Sequence, residues 1–175
     1  KTFVSSNLAM SMALLGKKVI LIGLDIRKPR LAEMFNLPDH KKGITLFLSG
    51  DANDKELLLD QIMPSGLNAN LDILPAGIIP PNPAELLSKK NLDMAMEYLK
   101  EKYDYIILDT APVGLVTDTL IIARVTDATV YICRADYTPK SYMELINSLH
   151  KENKLKNMSI VLNGIDMTKR KYGYY

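Results

Sequence analysis

Residues 105–112 read Tyr-Ile-Ile-Leu-Asp-Thr-Ala-Pro, and residues 19–25 read Val-Ile-Leu-Ile-Gly-Leu-Asp. Each stretch is an apolar run that ends on an aspartate, Asp109 or Asp25, and then enters a loop. In a parallel sheet such runs are buried strands, and their carboxyl ends form the ligand crevice. Two carboxylates brought to one crevice can hold a hard cation on phosphate oxygens, so the pair predicts a magnesium site.

Patterns typical of helices and of strands alternate along the chain, which predicts an α/β fold with a mostly parallel sheet. The predicted strands are residues 19–26, 71–74, 105–108, 129–134 and 159–163. The predicted helices are residues 2–15, 31–35, 44–48, 55–62, 84–88, 91–103, 118–124 and 141–155. We expect one domain over residues 1–165 and a flexible, tyrosine-rich tail over residues 166–175.

Composition narrows the class of protein. The chain has 175 residues, of which 47% are hydrophobic and 24% charged, as in an ordinary globular domain. A net charge of +2, without a basic stripe, argues against a nucleic-acid partner. The single cysteine, Cys133, lies in an apolar strand and is predicted to be a buried, inert thiol. His40 and His150 lack partners at ligand spacing, so zinc is not expected.

The first two residues, Lys1 and Thr2, look like the end of a phosphate-binding loop. In such a loop the ammonium group lies on the β and γ phosphate oxygens, and the hydroxyl group joins the magnesium shell. Because the chain does not begin with Met, we expect it to continue upstream, where the glycines of the loop would lie. The alternative is a truncated, frayed terminus.

Both aspartates also have ordinary structural interpretations. Asp109 could cap the next helix. The structural role of Asp25 would be an ion pair with Arg27 or Arg30. Its functional role could be to bind magnesium or to accept a proton from an attacking hydroxyl group. The basic group Arg27, Lys28 and Arg30 could be a solvated charge run, or it could hold anionic groups or acidic residues of a neighbouring subunit.

Two features near the carboxyl terminus remain open in the same way. Asn163 ends the last predicted strand before a glycine, and its amide could pair with the edge of a purine or simply start a turn. Tyr172, Tyr174 and Tyr175 fall within the last four residues. They could be phosphoacceptors, for which a flexible tail would help, or part of a longer irregular tail.

Taken together, these residues resemble the bacterial tyrosine kinases (BY-kinases), the catalytic domains tied to capsule and exopolysaccharide export. Residues 25–29, Asp-Ile-Arg-Lys-Pro, are similar to the A-prime segment of that family, and residues 107–112 are similar to its Walker B segment. The most discriminating similarity is the proline-rich stretch at residues 77–87. Residues 116–118, Val-Thr-Asp, and the tyrosine-rich tail also match. The resemblance covers nearly the whole chain and implies a three-layer, P-loop NTPase-like fold.

The resemblance also implies a reaction, in which ATP bound with Mg²⁺ gives its γ-phosphoryl group to a tail tyrosine of a neighbouring subunit in a ring. Carried onto this chain, Lys1 and Thr2 hold phosphates and magnesium, and Asp25 and Asp109 complete the metal site. Arg134 and Asn163 are assigned to the nucleotide, with Asn163 near the adenine. Three acceptors are implied, namely Tyr172, Tyr174 and Tyr175.

Partners and location follow from the same resemblance. They include a membrane activator or chain-length-determinant domain, fused or separate, and a cognate tyrosine phosphatase. The catalytic domain is expected in the cytoplasm, at the inner face of the plasma membrane. One departure stands out, because Gly23 occupies a position where the family usually has a second aspartate. The open alternatives are a non-kinase ATPase of the same fold and a weakly active, nucleotide-sensing regulatory module.

Overall fold

The structure, a computed structural model, describes residues 1–114 and 116–166. The three tyrosines predicted to accept phosphate, Tyr172, Tyr174 and Tyr175, lie outside the described residues. Within the part that is described, no helix combines the length and the apolar character needed to cross a membrane.

The first of two compact units, Lys1–Val125, is built on a four-stranded sheet. Its strands are β1 (Val19–Gly23), β2 (Met63–Pro64), β3 (Leu71–Leu74) and β4 (Tyr105–Asp109). Its helices are α1 (Thr2–Leu14), α2 (Leu31–Met34), α3 (Ile44–Ser49), α4 (Lys55–Leu59), α5 (Pro83–Ser88), α6 (Lys90–Lys100) and α7 (Asp118–Ile122), and a 3₁₀ turn follows at Ala123–Val125. The strand order is β2-β3-β1-β4, with β1 parallel to β3 and β4, and β2 antiparallel to β3.

Strand β1 lies between two cores. Its side chains alternate between the two faces of the sheet, as in any strand. Ile20 and Ile22 belong to a cluster with buried side chains from α3 to α7, whereas Val19 and Leu21 belong to a cluster with α1 and α2. Helices therefore cover both faces of the sheet in three layers. The predicted α/β class with a mostly parallel sheet is confirmed.

The second unit begins at Thr126 and is a parallel strand-helix-strand unit. Its elements are β5 (Thr129–Arg134), α8 (Tyr142–Lys151) and β6 (Met158–Asn163). Cys133 in β5 is a buried free thiol, as predicted. The predicted boundary between the domain and the tail, at residues 165 and 166, stays a prediction.

The main error in the predicted elements concerns the end of the first strand. The prediction continued it to Ile26, but β1 ends at Gly23. Beyond that residue the N–H groups of Leu24 and Asp25 both donate to the carbonyl oxygen of Asp109, at 2.8 and 3.0 Å. The chain therefore leaves the sheet at the end of β4, and Asp25 lies in the loop that follows. Strand β2 was not predicted, because two residues carry no periodic pattern.

The start of α3 docks on the chain that follows β3. The N–H of Ile44 donates to the carbonyl oxygen of Pro75 at 2.9 Å, and the N–H of Thr45 donates to that of Ala76 at 3.0 Å. The N–H of Gly43 donates to the buried side chain of Gln61 at 3.2 Å. This docking supports the backbone beside the carboxyl ends of β1 and β3.

Arg124, in the 3₁₀ turn, ties three neighbouring segments together. Its guanidinium group donates to the carbonyl oxygens of Leu87, Lys89 and Ile121 at 2.8–3.0 Å. It also pairs with the Asp93 carboxylate in α6 at 3.0 Å. The planar guanidinium presents several donors at fixed angles, so a lysine could not make these contacts together.

Candidate functional site

Thr2 and Asp109 meet at the carboxyl edge of the sheet, although they are 107 residues apart in sequence. The hydroxyl of Thr2 donates to the Oδ2 atom of Asp109 at 2.7 Å. Helix α1 begins at Thr2, and strand β4 ends at Asp109, so the contact joins a helix start to a strand end. Asp109 does not cap the next helix, because α7 has Thr117 in the N-cap position.

The Asp109 carboxylate is buried, with 5% of the residue exposed. Burial raises its pKa above the ordinary value, while the Thr2 hydroxyl and the positive charge of Lys1 act in the opposite direction. Burial therefore outweighs the favourable interactions of the Asp109 carboxylate with Thr2, Lys1 and Ser5. A cation placed at this carboxylate would relieve the cost of its charge.

The donors at this edge fit magnesium rather than a softer metal. They are hydroxyl and carboxylate oxygens, which hard cations prefer. Among the residues that the structure describes, no group of three or more His, Cys, Asp and Glu side chains could hold an ion by itself. The oxygen donors suit Mg²⁺, which usually takes one or two carboxylates and completes its shell with water and phosphate oxygens.

Asp25 lies in the loop after β1, beside the same edge. The two backbone hydrogen bonds to the Asp109 carbonyl oxygen hold its main chain there. One carboxylate oxygen of Asp25 accepts the N–H of Lys28 at 3.1 Å. The structure does not show the predicted alternative, pairing with arginine, since Arg27 bonds to Asp118 and Arg30 to Glu33.

The sequence did not predict the pairing of the buried Asp118 carboxylate with Arg27, whose side chain is partly exposed. Asp118 is fully buried, and the two groups lie 91 residues apart in sequence. The short Val-Thr-Asp similarity at residues 116–118 was the available signal, but it named no partner. Lys28, the third residue of the basic group, is exposed.

Gly23 pairs in register with Asp109 and is buried. A Cβ atom at this position would lie 3.2 Å from the backbone nitrogen of Ala76 and 3.3 Å from a methyl carbon of Leu31. A side chain at this position therefore requires its neighbours to shift by a few tenths of an ångström. The position that carries an acid in the resembling family is packed closely in this chain.

The second unit carries Arg134 and Asn163 at the carboxyl ends of its two strands, paired in register. The N–H of Ala135 donates to the carbonyl oxygen of Asn163 at 2.9 Å. The Arg134 guanidinium lies 5.5 Å from the centre of the Tyr137 ring. Gly164 follows with a φ of +70°, so a turn begins there. The assignment of Arg134 and Asn163 to a nucleotide stays a prediction.

The raised pKa of Asp109 predicts how stability depends on pH. The folded state holds the Asp109 proton more tightly than the unfolded chain, so stability falls as pH rises from about 3.8 through the folded pKa. Above the folded pKa the loss stays constant, because the carboxylate is then ionised in both states. Urea unfolding at a series of pH values should therefore show that the free energy of unfolding of Asp109→Asn, relative to that of wild type, increases as pH rises. If wild type instead became more stable relative to the variant over that range, the result would contradict the burial of this charge.

Comparison with known proteins places this geometry in a family. A family model described as an AAA domain matches residues 1–162. The chain is 33% identical to tyrosine-protein kinase CpsD of Streptococcus agalactiae over 175 residues, covering 100% of this chain and 74% of the relative. It is also 33% identical to the putative tyrosine-protein kinase EpsB of Ralstonia nicotianae, covering 99% of this chain and 22% of that relative.

The fold has a close counterpart among solved structures. The kinase domain of the Escherichia coli tyrosine kinase ETK superposes with a TM-score of 0.85 at 27% sequence identity. The match covers 100% of this chain and 67% of that domain. The P-loop NTPase-like fold predicted from the resemblance is therefore confirmed.

Proposed function

This chain belongs to the family of bacterial tyrosine-protein kinases, and we propose that it phosphorylates tyrosines in its own carboxyl-terminal tail. The reaction takes the γ-phosphoryl group from ATP, and the pathway it serves is capsular or exopolysaccharide synthesis and export. The observation that carries the proposal is the contact of Thr2 with Asp109 at the carboxyl edge of the sheet. This edge is where nucleotides bind in related α/β folds.

The phosphate end of ATP is assigned to the start of α1. There the Lys1 ammonium group binds the β and γ phosphate oxygens, and the first backbone N–H groups of the helix favour an anion. Thr2, Asp25 and Asp109 would hold Mg²⁺ through oxygen atoms. When bound, this ion would neutralise the negative charge that develops on the phosphate oxygens during transfer.

The chemical step needs few protein groups, because the transition state of phosphoryl transfer is loose. The phenol oxygen of the acceptor forms a bond to the γ phosphorus while the bond to the ADP oxygen breaks. The phenol proton passes to a carboxylate, and Asp25 is the proposed acceptor because position 23 is a glycine without an acid. Asp25 thus serves both as metal ligand and as proton acceptor.

The remaining site assignments belong to the proposal as well. Arg134 and Asn163 contact the nucleotide, with the Asn163 amide on the edge of the adenine. Tyr172, Tyr174 and Tyr175 are the acceptors, presented by a neighbouring subunit in a ring.

The proposal extends to partners and location. The Ralstonia relative, of which this chain matches 22%, carries much additional sequence. That length supports a membrane activator or chain-length-determinant domain as partner, fused or separate. A cognate tyrosine phosphatase reverses the modification. The kinase acts in the cytoplasm, at the inner face of the plasma membrane.

A second candidate function is a nucleotide-sensing regulatory module with slow turnover. Gly23 favours it, because the missing acid removes one group that could hold metal or accept a proton. The same experiment separates the two candidates, since a sensing module binds ATP without modifying its tail.

Phosphotyrosine mapping of the full-length protein tests the proposal. Incubation with ATP and Mg²⁺ should place phosphate on Tyr172, Tyr174 or Tyr175, and Lys1→Met should remove it. Tyr137 provides an internal control, because it is 75% exposed and lies outside the tail. Bound ATP with an unmodified tail would favour the sensing module, and equal phosphate on Tyr137 would contradict specific use of the tail.

A further inference from the structure

The buried carboxylate of Asp118 binds the side chain of Arg27, which belongs to the A-prime segment, residues 25–29. The Nε atom of Arg27 lies 2.7 Å from one oxygen of Asp118, and its Nη2 atom lies 2.9 Å from the other. The Asp118 side chain is 0% exposed, and that of Arg27 is 38% exposed. A buried carboxylate is costly unless it is paired, and a two-point contact with arginine fixes direction as well as distance.

The A-prime segment has no strand partner; its Ile26 side chain is fully buried in the core, and contacts on either side of Ile26 hold the backbone. At its start, the N–H groups of Leu24 and Asp25 donate to the Asp109 carbonyl oxygen. Two residues after Asp25, Arg27 is held by Asp118. Asp25 thus lies between two anchors. Its carboxylate accepts the N–H of Lys28, so its direction depends on the backbone that Arg27 holds.

Both anchors belong to one continuous piece of chain, the segment from the end of β4 to the start of α7. Asp109 is the last residue of β4, and Asp118 is the first residue of α7. The hydroxyl of Thr119 donates to the carbonyl oxygen of Ala111 at 2.6 Å, which ties the first turn of α7 back to the loop. Together with the bonds of Arg27 to Asp118 and of Asp25 to Asp109, this contact links the A-prime segment to the loop after β4 and to the start of α7.

We propose that Asp118 and Arg27 are a positioning pair, which aims the Asp25 carboxylate at the metal site without touching nucleotide or metal. The inference rests on the proposed function, because it assumes that Asp25 holds the ion of a metal–nucleotide complex. Without the pair, the Asp25 carboxylate should no longer be held in the orientation that binds the metal. The Mg²⁺-dependent part of nucleotide binding should therefore weaken.

The test uses the full-length protein and a fluorescent ADP analogue, titrated at several Mg²⁺ concentrations and in EDTA. Asp118→Asn and Arg27→Lys should each raise the Mg²⁺ concentration needed for half-maximal enhancement of binding by about tenfold. Binding in EDTA should change less than about twofold, because the pair acts through the metal site. Arg27→Lys keeps the positive charge beside Asp118 but cannot make two parallel hydrogen bonds to its carboxylate. This variant therefore still tests the proposal if Asp118→Asn folds poorly.

Two further variants complete the design. Arg124→Lys is the matched control, because it breaks another arginine–aspartate contact in the same unit, and it should lower the thermal midpoint without changing the Mg²⁺ dependence. Adding Arg27→Lys to Asp25→Asn should weaken Mg²⁺-dependent binding no further than Asp25→Asn alone, since Arg27 acts through Asp25.

The outcomes separate this inference from the proposed function. If Asp25→Asn removes the Mg²⁺ dependence while Asp118→Asn and Arg27→Lys merely lower the thermal midpoint, the positioning role is wrong and the proposed metal site stands. If wild type shows no Mg²⁺ dependence, or if Asp25→Asn leaves it intact, the metal role of Asp25 and the positioning role are both overturned.

Discussion

Replacing Asp109 with asparagine is expected to abolish phosphorylation of the tail while leaving the protein folded. The proposed metal site loses the negative charge that contacts Thr2 at the start of α1. Loss of one preorganised electrostatic contact typically costs about 100-fold or more in rate. The amide oxygen of the new asparagine can still accept the hydrogen bond from the Thr2 hydroxyl. Because burial of the charged carboxylate raises its pKa, the thermal midpoint at neutral pH should stay the same or rise.

The measurement is the initial rate of tail phosphotyrosine formation with ATP and Mg²⁺, beside a thermal unfolding curve. Asp104→Asn is a matched control, because Asp104 directly precedes β4 and is exposed at the opposite end of that strand. There it accepts the N–H of Lys18 at 2.8 Å. Asp104→Asn should keep full activity. A fully active Asp109→Asn protein would remove Asp109 from the metal site.

Replacing Gly43 with alanine is expected to unfold the first unit or destabilise it severely. A Cβ atom there would lie 2.2 Å from the backbone nitrogen of Gly77, 2.4 Å from the carbonyl carbon of Ala76 and 2.5 Å from the carbonyl oxygen of Pro75. All three are backbone atoms, so no side chain can rotate away. The backbone of Gly43 is extended, so the effect comes from lack of space.

The expected cost is about 3–5 kcal/mol, the sum of overpacking and of the hydrogen bonds that join the start of α3 to the chain after β3. Chemical denaturation of the two proteins measures it. Gly66→Ala is the control, because Gly66 has a φ of +72° and open space around its Cβ position. That change should cost about 1 kcal/mol, which is the conformational effect alone. Equal losses at the two positions would show that the close approach at Gly43 is unimportant.

Much of the candidate site could be predicted, because it depends on where strands end. Apolar runs that close on Asp25 and Asp109 imply parallel strands, and parallel strands bring their carboxyl ends to one edge. The backbone contact of Asp25, just beyond β1, with Asp109 at the end of β4 follows that rule, whereas the contact of Thr2 with Asp109 joins a helix start to a strand end. The prediction for the first strand failed beyond Gly23, because Leu24 is as apolar as the strand before it, and its backbone pairing is invisible in the pattern.

The pairing of Arg27 and the close packing of Gly43 were beyond prediction for a related reason. The basic group at residues 27–30 contains several positive side chains. The neighbouring sequence does not indicate which of them pairs with a buried acid 91 residues away. Gly43 resembles any glycine before a short helix, until the chain after β3 is folded against it.

The amino-acid sequence by itself determined the α/β class, the strands that lead to Asp25 and Asp109, and the likeness to a kinase family. These features depend on periodicity and on short motifs, which each segment carries independently of the rest of the chain. Only the tertiary structure decided which charges pair, which carboxylate is buried and which glycine has no room for a side chain. Those properties arise between segments distant in sequence, where packing and desolvation act once the chain has closed around its cores.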